Sequence, residues 1–407
     1  MNPKTALKPL AFLLIALTLT LIPARITGGS RRPVDEPVVI WTATDLHYIA
    51  PSLMGDYFTD LPAGGDGKAV CYAPDITRAF LEQAAQEQPD LLILSGDLTL
   101  NGAHQSHKEL TELLHALQAQ GVQVLTMAGN HDVDGACADY STFNGETLQT
   151  MPGLTSDEYK ELYAPFGWNQ AISRDEESLS YVYQVHPRLR ILMLDANCYG
   201  KGYAKYSTLR WAEAQLKAAR LAGARVIGVS HQNLYAHNSM LSFGYRLYNA
   251  ADLQEVYDRN RVLCNLTGHI HVQSIVQGRV PEIATSSLSV AGSHFGELVY
   301  DGRTLTYQAR ETRLPDLADE VLWYFEEVAR RQTYASFAQS DLTAQQVDLL
   351  ADTFARINSA YFSGQPINEA DFTEGLALWR QQGGFVCRYI DTMLAAGKNN
   401  HLSIIIE

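Results

Sequence analysis

Residues 90–97 read Asp-Leu-Leu-Ile-Leu-Ser-Gly-Asp, an unbroken apolar run of strand length that ends on a glycine and a carboxylate. A short run with no polar alternation describes a strand buried on both faces, as in a parallel sheet. Upstream, Val38-Val-Ile-Trp-Thr-Ala is β-rich and leads into Thr44-Asp45-Leu46-His47. Downstream, Val122–Met127 leads into Ala128-Gly129-Asn130-His131-Asp132. Between these strands, Asp75–Gln88 and His107–Gln120 have helical period; Pro89 stops the first and Gly121 caps the second. The rhythm returns with helix Ser207–Leu221, strand Arg225–Val229, helix Ala250–Arg259 and strand Val262–Leu266. These last two strands run into Ser230-His231 and Thr267-Gly268-His269-Ile270-His271. Such alternation predicts an α/β fold.

The remaining segments are less regular. Residues 135–177 read as a long loop with one helix near Asp157–Tyr163, and Ser178–Val185 and Leu189–Leu194 as two strands. Residues 272–309 are strand-rich, with Asp301-Gly302 a hairpin turn. Past Arg310 three helical patterns follow, Leu314–Arg331, Thr343–Tyr361 and Glu369–Ala396. The stripe Leu317, Val321, Tyr324, Val328 in the first is the face expected to dock on the rest of the chain.

Composition narrows the partners. The 407 residues are 46% hydrophobic and 19% charged, enough for a large core and unlike a disordered or fibrous chain. The formal charge is −14, and residues 1–34 hold five bases and no acid, which leaves the body at −19. A body of that sign repels a phosphate backbone, so no nucleic-acid polymer is expected as partner. A small phosphate ester remains open, because bound cations invert the local field. Lys4 and Lys8 precede an apolar run, Leu10 to Ile22, which has the length of a secretory signal core. Export follows, the product being either secreted or held at the outer face of the membrane by this segment. The five cysteines, Cys71, Cys137, Cys198, Cys264 and Cys387, lack CxxC spacing. A Cys71–Cys137 bridge is one reading and buried free thiols the preferred one.

The chemistry lies at the strand ends, where ligands bind in α/β sheets. Asp45 and His47, Asp97, Asn130 and His131, His231, and His269 and His271 close five successive strands. If these ends are extended, residues two apart point the same way, so Asp45 with His47 and His269 with His271 each present a ligand pair. Six or seven mixed carboxylate, amide and imidazole donors exceed one tetrahedral zinc and suit two adjacent divalent cations; Asp97, beside Gly96, is the candidate bridge.

The ordered set Asp45-x-His47, Gly96-Asp97, Gly129-Asn130-His131-Asp132, Ser230-His231 and Gly268-His269-x-His271 resembles that of calcineurin-like metallophosphoesterases, over about residues 38–300. The resemblance implies a four-layer α/β/β/α sandwich, here with a helical C-terminal appendage. With the apolar leader and the helical patterns past Arg310, the chain divides into a leader or anchor with linker (1–32), a catalytic domain (33–310) and a helical region (311–407). The resemblance also implies two divalent ions (manganese, iron or zinc), one held by Asp45, His47, Asp97 and His271, the other by Asp97, Asn130, His231 and His269. His131 would stand beside them and assist the leaving oxygen while a water between the metals attacks phosphorus.

Two departures refine this. Where many relatives carry an acid that pairs with the catalytic histidine, Leu100 stands; either Asp132 or another acid orients His131, or His131 is less basic. Where phosphoprotein phosphatases carry an arginine, Asn101 stands, which points toward the phosphodiesterase branch. A phosphomonoesterase and a non-catalytic envelope binding protein are the alternatives. Of the residues nearby, His237 is either a phosphate contact or a surface-loop histidine, His104 and His107 open a helix, Tyr48 and Tyr72 are candidates to stack on a leaving group, and His294 has no assignment.

Overall fold

The computed structural model describes residues 36–55, 57, 67–143, 146–396 and 400–406; the apolar run Leu10 to Ile22 and its flanks lie outside them. Among the described residues no helix is long and apolar enough to cross a membrane.

Two sheets face each other. The first has six strands in the order His401–Ile405, Thr304–Glu311, His294–Tyr300, Val38–Ala43, Leu91–Leu94, Gln123–Thr126. Its last three strands are parallel, with Ile40 opposite Leu91 and Leu91 opposite Gln123. The second has seven, Ser274–Val276, Glu282–Ala284, Asn265–Thr267, Arg225–Val229, Leu189–Met193, Tyr181–His186 and Ser173–Arg174.

Strand alternation builds the layers. Val38, Ile40, Leu91, Ile93 and Leu125 of the first sheet pack on Ile191, Met193, Ile227, Val229 and Leu266 of the second. On the first sheet's other face, Trp41, Leu92, Leu94 and Val124 meet Ile76 and Phe80 of helix Ala73–Glu87 and Leu110, Leu114 and Leu117 of helix His104–Ala119. On the second sheet's outer face, Leu192 and Val226 meet Leu209 and Leu216 of helix Tyr206–Leu221 and Leu253 and Tyr257 of helix Ala250–Asn260. This is the expected α/β/β/α sandwich.

The C-terminal region differs from the expectation in two ways. The third helical pattern breaks into Thr373–Gln382 and Gly384–Leu394, because Gly383 and Gly384 take φ of 67° and 84°, which ends one helix and starts the next. The region is also not helical to its end: His401–Ile405 pairs antiparallel with Thr304–Glu311 and becomes the outer strand of the first sheet. The helices are thus tied down at both ends. Val321, Tyr324 and Val328 of helix Ala318–Phe337 enter the core against the first sheet's helices, as their spacing predicted. The supposed long loop contains a hairpin, Ala136–Asp139 with Gln149–Pro152, and helix Ser156–Tyr163, which starts at a Thr155–Glu158 capping box. All five cysteines are free thiols, four of them buried.

Candidate metal centre

The five loops after strands Val38–Ala43, Leu91–Leu94, Gln123–Thr126, Arg225–Val229 and Asn265–Thr267 converge at one edge of the sandwich. The first two continue sheet-like pairing past their strands, with Asp45 N–H donating to Gly96 O at 3.0 Å and His47 N–H to Asp97 O at 3.1 Å. One donor atom from each of Asp45, His47, Asp97 and His271 lies within 4.8 Å of the others, and a second group joins Asp97 with His231 and His269. Asn130 completes this second group, its Oδ1 3.1 Å from His231 Nε2. Asp97 is common to both.

The local backbone differs from the extended geometry expected of Asp-x-His and His-x-His. Asp45, His47, Asp97, His269 and His271 have φ between 46° and 69°, half of the ten non-glycine positive-φ residues among those described. A left-handed turn, not strand alternation, aims each pair inward. Such conformations are strained and persist where the surroundings enforce them, which is characteristic of functional sites. The motif glycines leave room for the ligands: a Cβ on Gly129 would overlap the Asp97 carboxylate, one on Gly268 would overlap Thr44 and Asp45, and one on Gly96 would strike the His231 ring.

The donor set fits cations. Asp45 Oδ1 and Asp97 Oδ2 are buried with no hydrogen-bond partner, and His47 Nε2 and His271 Nε2 face each other at 3.1 Å. Converging lone pairs without donors are costly in a buried site unless a cation receives them. The electrostatics agree: burial works to raise the Asp97 pKa, but His231, 3.3 Å from Oδ1, holds it well below the carboxylate range. Burial likewise opposes ionisation of Asp45, and His271 at 3.3 Å outweighs it. Burial alone would lower His231; the Asp97 charge instead lifts it to about 9. His269 goes the other way, pushed down to about 4 by burial and by the His231 charge.

Backbone carbonyls orient the rings. His231 Nδ1 donates to Ser95 O at 3.0 Å, which leaves Nε2 for the cluster, and His269 Nε2 donates to Gly244 O at 2.9 Å, which leaves Nδ1. His131 stands beside the cluster, Nε2 3.9 Å from Asp97 Oδ2, with 38% of its side chain exposed. Its Nδ1 donates to the Leu100 carbonyl at 2.8 Å. Leu100 therefore does orient His131, through its main chain. Asp132 does not: its fully buried carboxylate accepts from Leu98 N, Thr99 N, Thr99 Oγ1 and Gly129 N, clamping the Asp97 loop to the Asn130 loop. The pairing of Asp132 with His131 is corrected on this geometry, since four donors already fill its lone pairs.

The other candidates sort as follows. His237 is neither at the site nor on the surface; it is buried 3.0 Å from the buried Glu282, which also accepts from Leu234 N and Tyr235 N. His104 opens its helix, and His107 is buried on Tyr163 and the Asp132 carbonyl. Tyr48 is buried with its hydroxyl on Glu109, and Tyr72 packs on Tyr324, so neither stacks on a leaving group. His294 is buried beside Gly292. One residue near the site was not anticipated: Lys201, whose Nζ donates to Asn130 O at 3.0 Å. Its only sequence signal was its place in the loop after strand Leu189–Met193.

Comparison with known proteins agrees with this geometry. The family described as calcineurin-like phosphoesterase matches residues 38–273, and the C-terminal domain of cyclic nucleotide phosphodiesterase matches residues 314–400. The probable glycerophosphodiester phosphodiesterase GpdQ of Arcobacter nitrofigilis is 27% identical over 194 residues, covering 45% of this chain and 57% of that protein, so the chain spans little more than half of that relative's length. A dimetal phosphatase from Danio rerio is 14% identical, with TM-score 0.47, over 69% of this chain and 98% of that one. The purple acid phosphatase PPD1 of yellow lupin is 15% identical, with TM-score 0.47, over 68% and 52%. Likenesses this low carry no mechanism from those structures to this one. A family match across more than half of the chain is of another order, and its motif loops converge on a cluster whose residues could hold two metal ions: the chain belongs to the calcineurin-like phosphoesterase family.

Proposed function

We propose that this enzyme hydrolyses small phosphodiesters. Asp45, His47, Asp97 and His271 hold one cation, Asp97, Asn130, His231 and His269 the other, and Asp97 is shared. Bound there, the two cations supply Lewis-acid polarisation of the phosphoryl oxygens and lower the pKa of an attacking water. The chain's own groups do the rest. Because His131 Nδ1–H is committed to the Leu100 carbonyl, Nε2 is the atom through which a proton reaches the leaving oxygen. Asp97 Oδ2 lies 3.9 Å from that Nε2.

The observation that carries the diester reading is Asn101. A guanidinium there would balance the second charge of a monoester dianion. The Asn101 amide is neutral and donates to Ala138 O at 2.9 Å. A site with one cation fewer favours the singly charged diester. The match of residues 314–400 to a phosphodiesterase C-terminal domain, and the name of the curated relative, support the same choice. The division into a catalytic domain (33–310) and a C-terminal region (311–407), and export through Lys4, Lys8 and residues 10–22, belong to the proposal on sequence grounds.

The test strips residues 33–407 with chelator, reloads them with manganese, zinc or iron, and compares bis-p-nitrophenyl phosphate with p-nitrophenyl phosphate. Metal-dependent turnover faster on the diester is expected. Faster turnover of the monoester points to the phosphomonoesterase alternative. Two bound metals with turnover of neither points to a binding protein.

A further inference from the structure

We infer that the run Ser286-Ser287-Leu288-Ser289 positions the ligands of one cation. Its serine hydroxyls hold the main chain that carries Asp45, His47 and His271, and so set the affinity of that site and not of its neighbour. The inference rests on the two-cation reading proposed above.

The run stands out first by its burial. Serine and threonine are mostly surface residues, yet Thr285, Ser286, Ser287 and Ser289 are all fully buried. A buried hydroxyl is costly without a partner, so each is explained by what it bonds. Thr285 Oγ1 meets Tyr307 Oη at 3.5 Å. The three serines each donate to a main-chain carbonyl of the motif loops. Ser287 Oγ reaches Asp45 O at 2.6 Å, Ser289 Oγ reaches Leu46 O at 2.6 Å, and Ser286 Oγ reaches His271 O at 3.2 Å.

Topology brings the run there. Strand Glu282–Ala284 lies parallel to Asn265–Thr267, the strand that delivers His269 and His271, so the chain leaving it arrives at the same edge of the sandwich. The segment that carries Asp45 and His47 is then held twice. Its N–H groups donate to Gly96 O and Asp97 O, and its carbonyls accept from the serines.

The hydroxyls meet a need that the left-handed turns create. Asp45, His47 and His271 have φ of 51°, 46° and 61°, so the carbonyls around them do not alternate as a strand's do. Main-chain donors reach them at long range: Leu288 N–H lies 3.4 Å from Thr44 O and Ser287 N–H 3.3 Å from His271 O. A serine hydroxyl turns to suit its acceptor and reaches a carbonyl that a regular ladder would miss. Strained turns persist only where their surroundings enforce them, and here the serines do so.

The effect is one-sided. Asp45 and His271 are gripped at their own carbonyls, and His47 directly follows the gripped Leu46. The other cation's residues are fixed by different groups: His231 by Ser95 O, His269 by Gly244 O, and the Asn130 carbonyl by Lys201. Partners that orient ligands without touching the metal govern its affinity.

The test is calorimetric titration of manganese into the full chain stripped with chelator, beside urea unfolding of the metal-free form. Ser287→Ala and Ser289→Ala should each weaken one of two binding steps about 10–100-fold and leave the other unchanged. Thr312→Val deletes another buried hydroxyl-to-carbonyl bond outside the motif loops, Thr312 Oγ1 to Ser293 O at 2.8 Å. It should cost comparable stability and change neither step. Ligand variants identify the step. In Asn130→Ala, which spares the Asp45–His47–His271 site, adding Ser287→Ala should weaken the remaining ion by the same factor. In His47→Ala, which spares the other site, adding it should change nothing. Equal weakening of both steps, no weakening of either, weakening that persists in His47→Ala, or the same loss in Thr312→Val overturns the inference. A wild type that binds a single ion overturns the two-cation reading instead. The inference then stands if Ser287→Ala weakens that ion at least about tenfold, and falls if it does not.

Discussion

Asp132→Asn separates a clamp from a catalytic partner. Asp132 Oδ1 accepts from Thr99 N at 2.8 Å and Thr99 Oγ1 at 3.0 Å, and Oδ2 from Leu98 N at 3.1 Å and Gly129 N at 2.7 Å. An asparagine must turn its NH2 toward one of these sides. Facing Leu98 and Gly129 it would orphan two backbone N–H groups. Facing Thr99 it orphans one, because the Thr99 hydroxyl can rotate to accept. The cheaper orientation therefore costs about 1–3 kcal/mol for one unpaired buried donor, plus the charge assistance lost from the two remaining bonds, in all about 3 to 4 kcal/mol. Asp132→Ala orphans three N–H groups and costs more. Since the clamp spaces the Asp97 loop from the Asn130 loop, metal affinity should fall about 10–100-fold with stability. Urea unfolding of the metal-free protein and calorimetric manganese titration read the two effects. Asp132→Asn with unchanged stability and metal affinity, but a kcat lower by about 10²–10⁴, would refute the clamp and return Asp132 to His131.

Three further outcomes follow from the same geometry. His131→Ala should keep two metals per chain by elemental analysis and lose about 10²–10⁴ in kcat; loss of metal would make His131 a ligand. Gly129→Ala should weaken manganese binding at least about tenfold by calorimetry, because its Cβ would overlap the Asp97 carboxylate. His294 gives a pH effect away from the metals. Burial pushes its pKa down to about 4, against a weaker pull upward from the Ala291 backbone, and the Glu311 carboxylate 3.6 Å away is too exposed to hold the proton. Below about pH 6.5 the unfolded chain takes up this proton and the folded chain does not, so stability falls as pH falls, by about 2 kcal/mol between pH 7.5 and 5. His294→Gln should lose that increment in urea unfolding at the two pH values.

The sandwich and the convergence of the donor residues were legible in the sequence for one reason: both are written in side chains. Buried strands must be apolar runs, and metal donors must be Asp, Asn and His at strand ends, so the five motif blocks named their own positions. What is written in the main chain was hidden. The left-handed φ at Asp45, His47, Asp97, His269 and His271 could not be read from the residue types alone, since Asp and His enter that region more often than other non-glycine residues yet mostly lie outside it. The acceptors that orient His131, His231 and His269 are the carbonyls of Leu100, Ser95 and Gly244, which any residue type supplies. Reading Leu100 by its side chain suggested a missing partner where the backbone provides one. His237 misled in the opposite sense: its proximity to His231 in sequence suggested chemistry, and its partner, Glu282, lies 45 residues away on another strand.

The central claim is that Asp97 is shared by two cations. Manganese content per chain, measured on the reloaded protein by elemental analysis after desalting, tests it most directly. The wild type should retain two equivalents, and Asp97→Asn, which removes one donor from both ligand groups at once, should retain fewer than one. An Asp97→Asn protein that still carries two equivalents would contradict the account.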